Sequence, residues 1–250
     1  MTDTATEATD GPGGVPTGRP LVVAVDGPSG SGKSSVCRRV AAALGLAYLD
    51  TGAMYRAATW WCLERGVDLA DADAVTAAVV AMPLEVGLDP QAPTFAVGGT
   101  DVAAAIRTTG ISAVVSQVAT NLAARADLGE RQRAVIGAER GPDGWSGGRG
   151  VVVEGRDITT VIAPDADVRI LLTASEEARL ARRALEVHGS ADTASVEATR
   201  DQVVRRDAQD STVVDFLTAA DGVVTVDSSD LDLEQTVDAV LAVVRSVAAR

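Results

Sequence analysis

LVVAVDGPSGSGKSSVCRRVA, residues 21–41, passes from an unbroken apolar run through a glycine-rich turn into a helical pattern. The run at 21–25 has no polar alternation, as expected of a strand buried on both faces. The turn, GPSGSGKS, satisfies G-x-x-x-x-G-K-S/T, and Lys33 inside it is the only lysine among 22 Lys and Arg residues. A loop between a buried strand and a helix N-terminus presents backbone N–H groups to an anion, and the helix dipole adds about half a positive charge there. Gly27, Gly30 and Gly32 fit because a Cβ would block the turn or the approach of phosphate oxygens. Gly27, Pro28, Ser29, Gly30, Ser31, Gly32, Lys33, Ser34 and Ser35 are thus the candidate cradle for nucleotide phosphates, those of ATP on the resemblance given below. Lys33 would reach the β and γ phosphates, and the Ser34 hydroxyl would ligate Mg²⁺.

Outward from this stretch, short apolar runs alternate with longer helical ones, the signature of a parallel sheet wrapped by helices. Strands are expected at 21–25, 46–49, 151–153, 168–172 and 223–226, and helices at 33–44, 53–64, 176–186, 196–206 and 233–247. The fold class is therefore α/β. Residues 83–107 break the rhythm with prolines and a Gly98-Gly99 turn, which predicts an inserted antiparallel hairpin or small meander. The glycine-rich GPDGWSGGRG, 141–150, reads as a surface connector.

The chain has 250 residues, enough for one large domain or one domain with an insertion. The first 19 residues are polar, without a basic and apolar leader pattern, and are expected to form a disordered tail ahead of a domain spanning 20–250. No apolar run reaches membrane-spanning length, so the expectation is a cytoplasmic protein with no membrane partner. A net charge of −13 argues against a nucleic-acid partner, leaving small polyanions held by a local basic cluster. Cys37 and Cys62 form neither a disulfide framework nor a metal-ligand cluster and read as reduced core thiols.

A phosphate loop alone does not separate kinases from switch GTPases or motor ATPases. A guanine-reading N-K-x-D segment is impossible in a chain whose single lysine lies in the loop. The paired acids that end an ATPase strand have only VVVEGRD as a counterpart, with Glu154 placed to sit beside a metal. A small kinase remains.

YLDTGAMYR (48–56), VSQVATNLAAR (115–125), VVVEGRDITTVIAPDADVRILLTAS (151–175) and RRDAQDST (205–212), in this order and spacing, resemble the bacterial cytidylate kinases, a family of nucleoside-monophosphate kinases. The resemblance covers nearly the whole chain after about residue 20. It implies a five-stranded parallel sheet, an antiparallel-β monophosphate-binding insert at about 83–107, an arginine-rich lid at about 184–200, and a monomer. The implied reaction is ATP-dependent phosphorylation of CMP or dCMP, with Mg²⁺. On this resemblance Lys33, Arg56, Arg156 and Arg206 carry catalysis, and Arg56 and Arg156 face the acceptor phosphate beside Thr51 and Tyr55. Ser116, Arg125 and Asp157 match positions that read cytosine, and Arg206 and Asp210 match those that hold the ribose and close the site. Asp50 or Glu154 would join Ser34 at the metal through water.

Structural readings stand beside these. Ser116 and Arg125 lie in an alanine-rich helical stretch and can be a core-lining hydroxyl and an exposed face. Arg56 can pair with a nearby acid. Arg179, Arg182 and Arg183 can pair with Glu176 and Glu177 at helical spacing, or lend themselves to ATP. His188, the only histidine, reads as a solvated lid-loop residue. Three positions depart from the family pattern: Val213 replaces a phosphate-clamping arginine, Thr159 a glycine, and the proline ahead of Arg125 is missing. Two alternatives therefore accompany the leading reading: a kinase with a shifted pyrimidine-monophosphate acceptor, and a nucleotide-binding pseudokinase with an impaired lid.

Overall fold

A computed structural model describes residues 19–248 of the chain; the expected tail, apart from Arg19, lies outside the described residues. Five strands, β1 (Leu21–Asp26), β2 (Ala47–Asp50), β6 (Gly150–Gly155), β7 (Val168–Thr173) and β8 (Val224–Asp227), form one sheet in the order β2-β6-β1-β7-β8, every pair parallel. This is the sheet expected from the apolar runs. β1 shows why those runs lack polar alternation: Val22 and Ala24 enter one apolar cluster, Leu21, Val23 and Val25 the other.

Helices cover both faces. α1 (Lys33–Leu44) and α8 (Leu233–Ala248) close one side, where Val36, Val40, Val240 and Val244 pack on Val152, Ile170 and Leu172. α2 (Thr51–Glu64), α3 (Ala72–Val80), α4 (Thr109–Ala119) and α5 (Leu122–Ala138) build on the other. Cys37 and Cys62 are both buried free thiols. α6 (Glu176–His188) and α7 (Thr193–Asp210) form a helical hairpin over the β1–α1 loop, so residues 184–200 are the end of one helix, a four-residue connection and the start of the next. His188 is the last residue of α6 rather than a loop residue, because the chain continues helical up to Gly189, whose φ of 71° ends it.

Residues 83–107 hold β3 (Leu84–Val86), β4 (Phe95–Val97) and β5 (Thr100–Asp101), a separate three-stranded antiparallel sheet, followed by a 3₁₀ turn at Ala105–Arg107. Phe95 and Val97 bury themselves in the cluster that contains Ala58 and Cys62 of α2. Its loop is tied to the main sheet: Arg38 of α1 donates to the carbonyls of Pro90 and Gln91, each at 2.9 Å, and the Tyr48 N–H donates to Leu88 O at 2.9 Å.

The alanine-rich stretch at 115–125 is two helices, not one. Asn121 caps α5 by accepting from the N–H groups of Ala123 and Ala124, both at 3.1 Å, and this side-chain competition for the backbone breaks the run. Among the described residues no helix is long and apolar enough to cross a membrane.

Candidate active site

Ligands of an open parallel sheet bind beyond the carboxyl ends of its strands, and the candidate residues cluster there. β1 ends at Asp26 and the chain turns sharply through the glycine-rich loop. A Cβ on Gly27 would lie 2.1 Å from Leu172 O, and one on Gly30 would lie 2.5 Å from Arg179 O, so strand β7 and helix α6 press on the loop too closely for any other residue. Gly32 caps α1 without a side chain, leaving the first turn of the helix open to an anion. Lys33 folds back and donates from Nζ to Pro28 O at 2.9 Å. Burial lowers its pKa, opposed first by the Glu154 carboxylate.

Ser34 Oγ donates to Glu154 Oε1, and Tyr48 OH donates to the same oxygen at 3.0 Å. Burial raises the Glu154 pKa, with the neighbouring Asp50 adding to the rise. Asp50 ends β2 and caps α2: Oδ1 accepts from the Ala53 N–H at 2.7 Å, and Oδ2 pairs with Arg56 at 3.0 Å. Arg56 does pair with a nearby acid, but away from the surface, since the two side chains are 14% and 4% exposed. Thr51 donates to Glu154 O at 2.8 Å, which locks α2 onto β6.

Beyond β6 the chain delivers Arg156 and Asp157 and then a π turn at Ile158–Ile162. Asp26 fixes that turn, accepting from the N–H groups of Ile158 and Thr159 and from the Thr159 hydroxyl at 2.7–2.8 Å. Thr159 thus has a defined place: it is buried and anchors the segment carrying Arg156 to the strand that carries the phosphate loop. Asp157 pairs with Arg125, whose Nη1 donates to Ala119 O at 2.9 Å and whose guanidinium lies 5.6 Å from the Tyr55 ring centroid. Burial raises the Asp157 pKa against the pull of Arg125, and burial pushes Tyr55 to about 12.

α7 supplies the opposite wall. Asp210 accepts from Ser116 Oγ at 2.8 Å and faces Arg156 Nε at 3.2 Å and Arg206 Nε at 3.7 Å. Burial, with Arg156 nearby, brings the pKa of Arg206 down to about 10. Asp207, one residue beyond Arg206, holds more of the site than any residue singled out on this helix. Its Oδ1 accepts from the Ser29 N–H at 3.2 Å and from Arg156 at 2.8 Å, and its Oδ2 accepts from Arg179 at 2.5 Å. The spacing of Asp207 and Asp210, three residues apart on a helix, was the available signal for a carboxylate pair on one face.

The α6 arginines find partners other than Glu176 and Glu177. Arg179 bridges Asp207 and Ser29 O, Arg182 donates to the carbonyls of Ser228 and Leu231, and Arg183 pairs with Glu186 at 2.8 Å. Glu176 pairs instead with Arg200 of α7. Tertiary partners thus take Arg179 and Arg182, while Arg183 keeps an acid of its own helix three residues on.

A cavity of about 260 Å³ runs from residues 29–35 of the loop past Asp50 and Glu154 to Arg56, Arg156, Arg183 and Arg206, whereas Thr51, Tyr55, Ser116, Arg125, Asp157 and Asp210 are not among its lining residues. Arg38, Arg107 and Ser112, not anticipated from the sequence, also line it. Arg125 and Asp157 pair with each other, while Val213 is half-buried just past α7 and brings no charge. The sequence profile of the family described as cytidylate kinase matches residues 23–246. The chain belongs to that family. Curated proteins named cytidylate kinase from Streptomyces avermitilis and Streptomyces coelicolor are 47% and 45% identical to it, over 90% and 93% of this chain and 92% and 96% of their own lengths. One from Mycobacterium avium is 44% identical over 87% of the chain and 92% of its own length. Family membership and geometry meet at the cavity, where the phosphate loop and the arginine cluster face one another.

Proposed function

We propose that the chain transfers the γ-phosphoryl group of ATP to CMP or dCMP, giving ADP and CDP or dCDP. The observation that carries this reading is the continuity of one cavity from the Lys33 loop to Arg56, Arg156 and Arg206: a donor cradle and an acceptor clamp share one water-accessible space. The acceptor oxygen belongs to an already anionic phosphate, so the chemistry needs positioning and charge neutralisation rather than a general base. No histidine is required there, and none lines the cavity.

In this reading Lys33 and the loop N–H groups hold the β and γ phosphates, while Arg56 and Arg156, with Thr51 and Tyr55 beside them, orient the acceptor. Guanidinium forks suit that task because they match phosphate oxygens in pairs and keep their charge. Arg125 donates to the cytosine carbonyl and N3, and the oxygens of Ser116 and Asp157 accept from the C4 amino group. A uracil would leave those acceptors facing a carbonyl, and buried unpaired polar groups are what reject a wrong base. Arg206 and Asp210 hold the ribose.

The donor set next to Lys33 suits Mg²⁺: a hydroxyl from Ser34 with carboxylates from Glu154 and Asp50, hard oxygen ligands in a number that leaves room for phosphate and water. Among the described residues no group of three or more His, Cys, Asp or Glu is arranged to hold a metal by itself, which fits an ion arriving with the nucleotide. Bound there, Mg²⁺ would neutralise charge on the phosphates. We also take residues 83–107 as the acceptor-side insert and 184–200 as the lid of a cytoplasmic monomer acting on free nucleotides, with no nucleic-acid partner. Six arginines and Lys33 line the cavity, so the charge that Val213 does not supply is available from neighbours, and nothing favours a pseudokinase or a shifted acceptor. Phosphorus NMR of a mixture of Mg-ATP, CMP and protein tests the reading. Growth of CDP and ADP resonances together is expected, and ATP loss with release of inorganic phosphate alone would overturn it.

A further inference from the structure

Residues after α7 follow no regular element until β8, yet one of them is placed with care. Asp215 Oδ1 accepts from the N–H groups of Leu217 at 3.0 Å and Thr218 at 3.1 Å, a turn that throws Leu217 outward, 57% exposed, and Phe216 inward, 1% exposed. Phe216 belongs to neither apolar cluster of the protein. What its ring covers is the guanidinium of Arg156, whose carbon stands 4.3 Å from the ring centroid. The same guanidinium is held at its edges by Asp207 through Nη1 at 2.8 Å and by Asp210 through Nε at 3.2 Å.

We propose that Phe216 is a positioning residue for the acceptor phosphate, fixing the plane of the Arg156 guanidinium without neutralising it. The inference rests on the reading of Arg156 given under Proposed function. Carboxylates and phosphates both bind a guanidinium at its N–H edges, so an incoming phosphate competes with Asp207 and Asp210. The ring binds the face, where no phosphate oxygen competes, and its contact persists when the edge contacts are exchanged. A further carboxylate would hold the side chain as firmly but would cancel the charge needed by the phosphate. A buried aromatic face holds it and leaves the full charge in place. Arg156 therefore has two kinds of support: acids that a substrate displaces, and a ring that it does not.

The test is a double-mutant cycle between Phe216→Leu and Arg156→Ala, with CMP phosphorylation measured under single-turnover conditions so that slow variants stay readable. Leucine keeps the position apolar and removes the π face; Phe216→Met is the second variant should F216L fold poorly by circular dichroism. F216L is expected to lower kcat/KM for CMP by about 3- to 10-fold, mostly through KM, while KM for ATP stays within about twofold. In the R156A background the same substitution is expected to change kcat/KM by less than about twofold. Equal losses in both backgrounds, or a wild-type KM for CMP in F216L, would overturn the inference while leaving the proposed function intact. A wild-type chain that does not phosphorylate CMP would instead overturn the proposed function, and this inference with it.

Discussion

Replacing Asp207 with asparagine strikes the node that joins the phosphate loop, Arg156 and the first turn of the α6–α7 hairpin. Asp207 is 7% exposed, and its carboxylate serves Ser29, Arg156 and Arg179 at once. Asparagine keeps one acceptor oxygen, loses the charge, and turns an N–H₂ group toward one of the two arginines. A hydrogen bond involving a charged group contributes about 1.5–3 kcal/mol, and removing one partner of a buried pair costs about 3–5 kcal/mol because a charge is left behind. Asp210 remains beside Arg156 at 3.2 Å and offsets part of that loss, so about 3 kcal/mol is the expected cost. For a chain of this size, each kcal/mol moves Tm by about 2–4 °C, which gives a fall of about 6–12 °C. Differential scanning calorimetry of wild type and D207N at pH 7 reads it directly. A fall of under about 2 °C would mean that the node is a surface arrangement and that the walls of the site are held apart by other means.

Lys33→Met is expected to leave the fold intact and lower kcat by about 10²- to 10³-fold, the scale of losing one preorganised charge at a transition state; a kcat within tenfold of wild type in a steady-state assay would remove Lys33 from the mechanism. Ser116→Ala removes an oxygen proposed to accept from cytosine, and the preference for CMP over UMP in kcat/KM is expected to fall by about tenfold; unchanged selectivity would assign Ser116 to holding Asp210 alone. Burial holds the Asp26 carboxyl above its ordinary 3.8 against the pull of the Thr159 hydroxyl and amide, so the folded chain binds that proton more tightly than the unfolded one. Its contribution to stability is complete below the unfolded value and is lost as pH rises through the raised folded value. Wild type measured against Asp26→Asn by urea denaturation should therefore gain relative stability from pH 7 to pH 4, and a relative loss would show that the three donors outweigh burial.

The main sheet and the phosphate loop were legible because buried parallel strands are continuous apolar runs and because the loop's glycines and lysine serve an anion and little else. The antiparallel character of 83–107 was legible from its prolines and the Gly98-Gly99 turn. α3 and α5 were not, since α5 spreads its charges around the helix in RADLGERQR and offers no apolar stripe to read. The break between α4 and α5 rests on one capping residue, Asn121, inside a run whose composition favours a single helix. Within the site, the candidates were residues matching family motifs by type and order, whereas Asp207 and Phe216 owe their places to tertiary contacts across 51 and 60 residues with Arg156. The same holds for Arg179 and Arg182, whose partners lie on α7, the phosphate loop and the segment after β8, whereas Arg183 pairs at helical spacing with Glu186. Thr159, conspicuous only as a departure in sequence, gains its meaning from a carboxylate 133 residues away.

The most direct test of the account is ADP formation by the purified protein with Mg-ATP and, in separate reactions, CMP, dCMP, UMP, AMP, GMP or no acceptor. Turnover concentrated on CMP and dCMP, with little above background for the purines and for ATP alone, is the predicted result. Silence with both cytidine nucleotides, while another acceptor or water supports turnover, would contradict it.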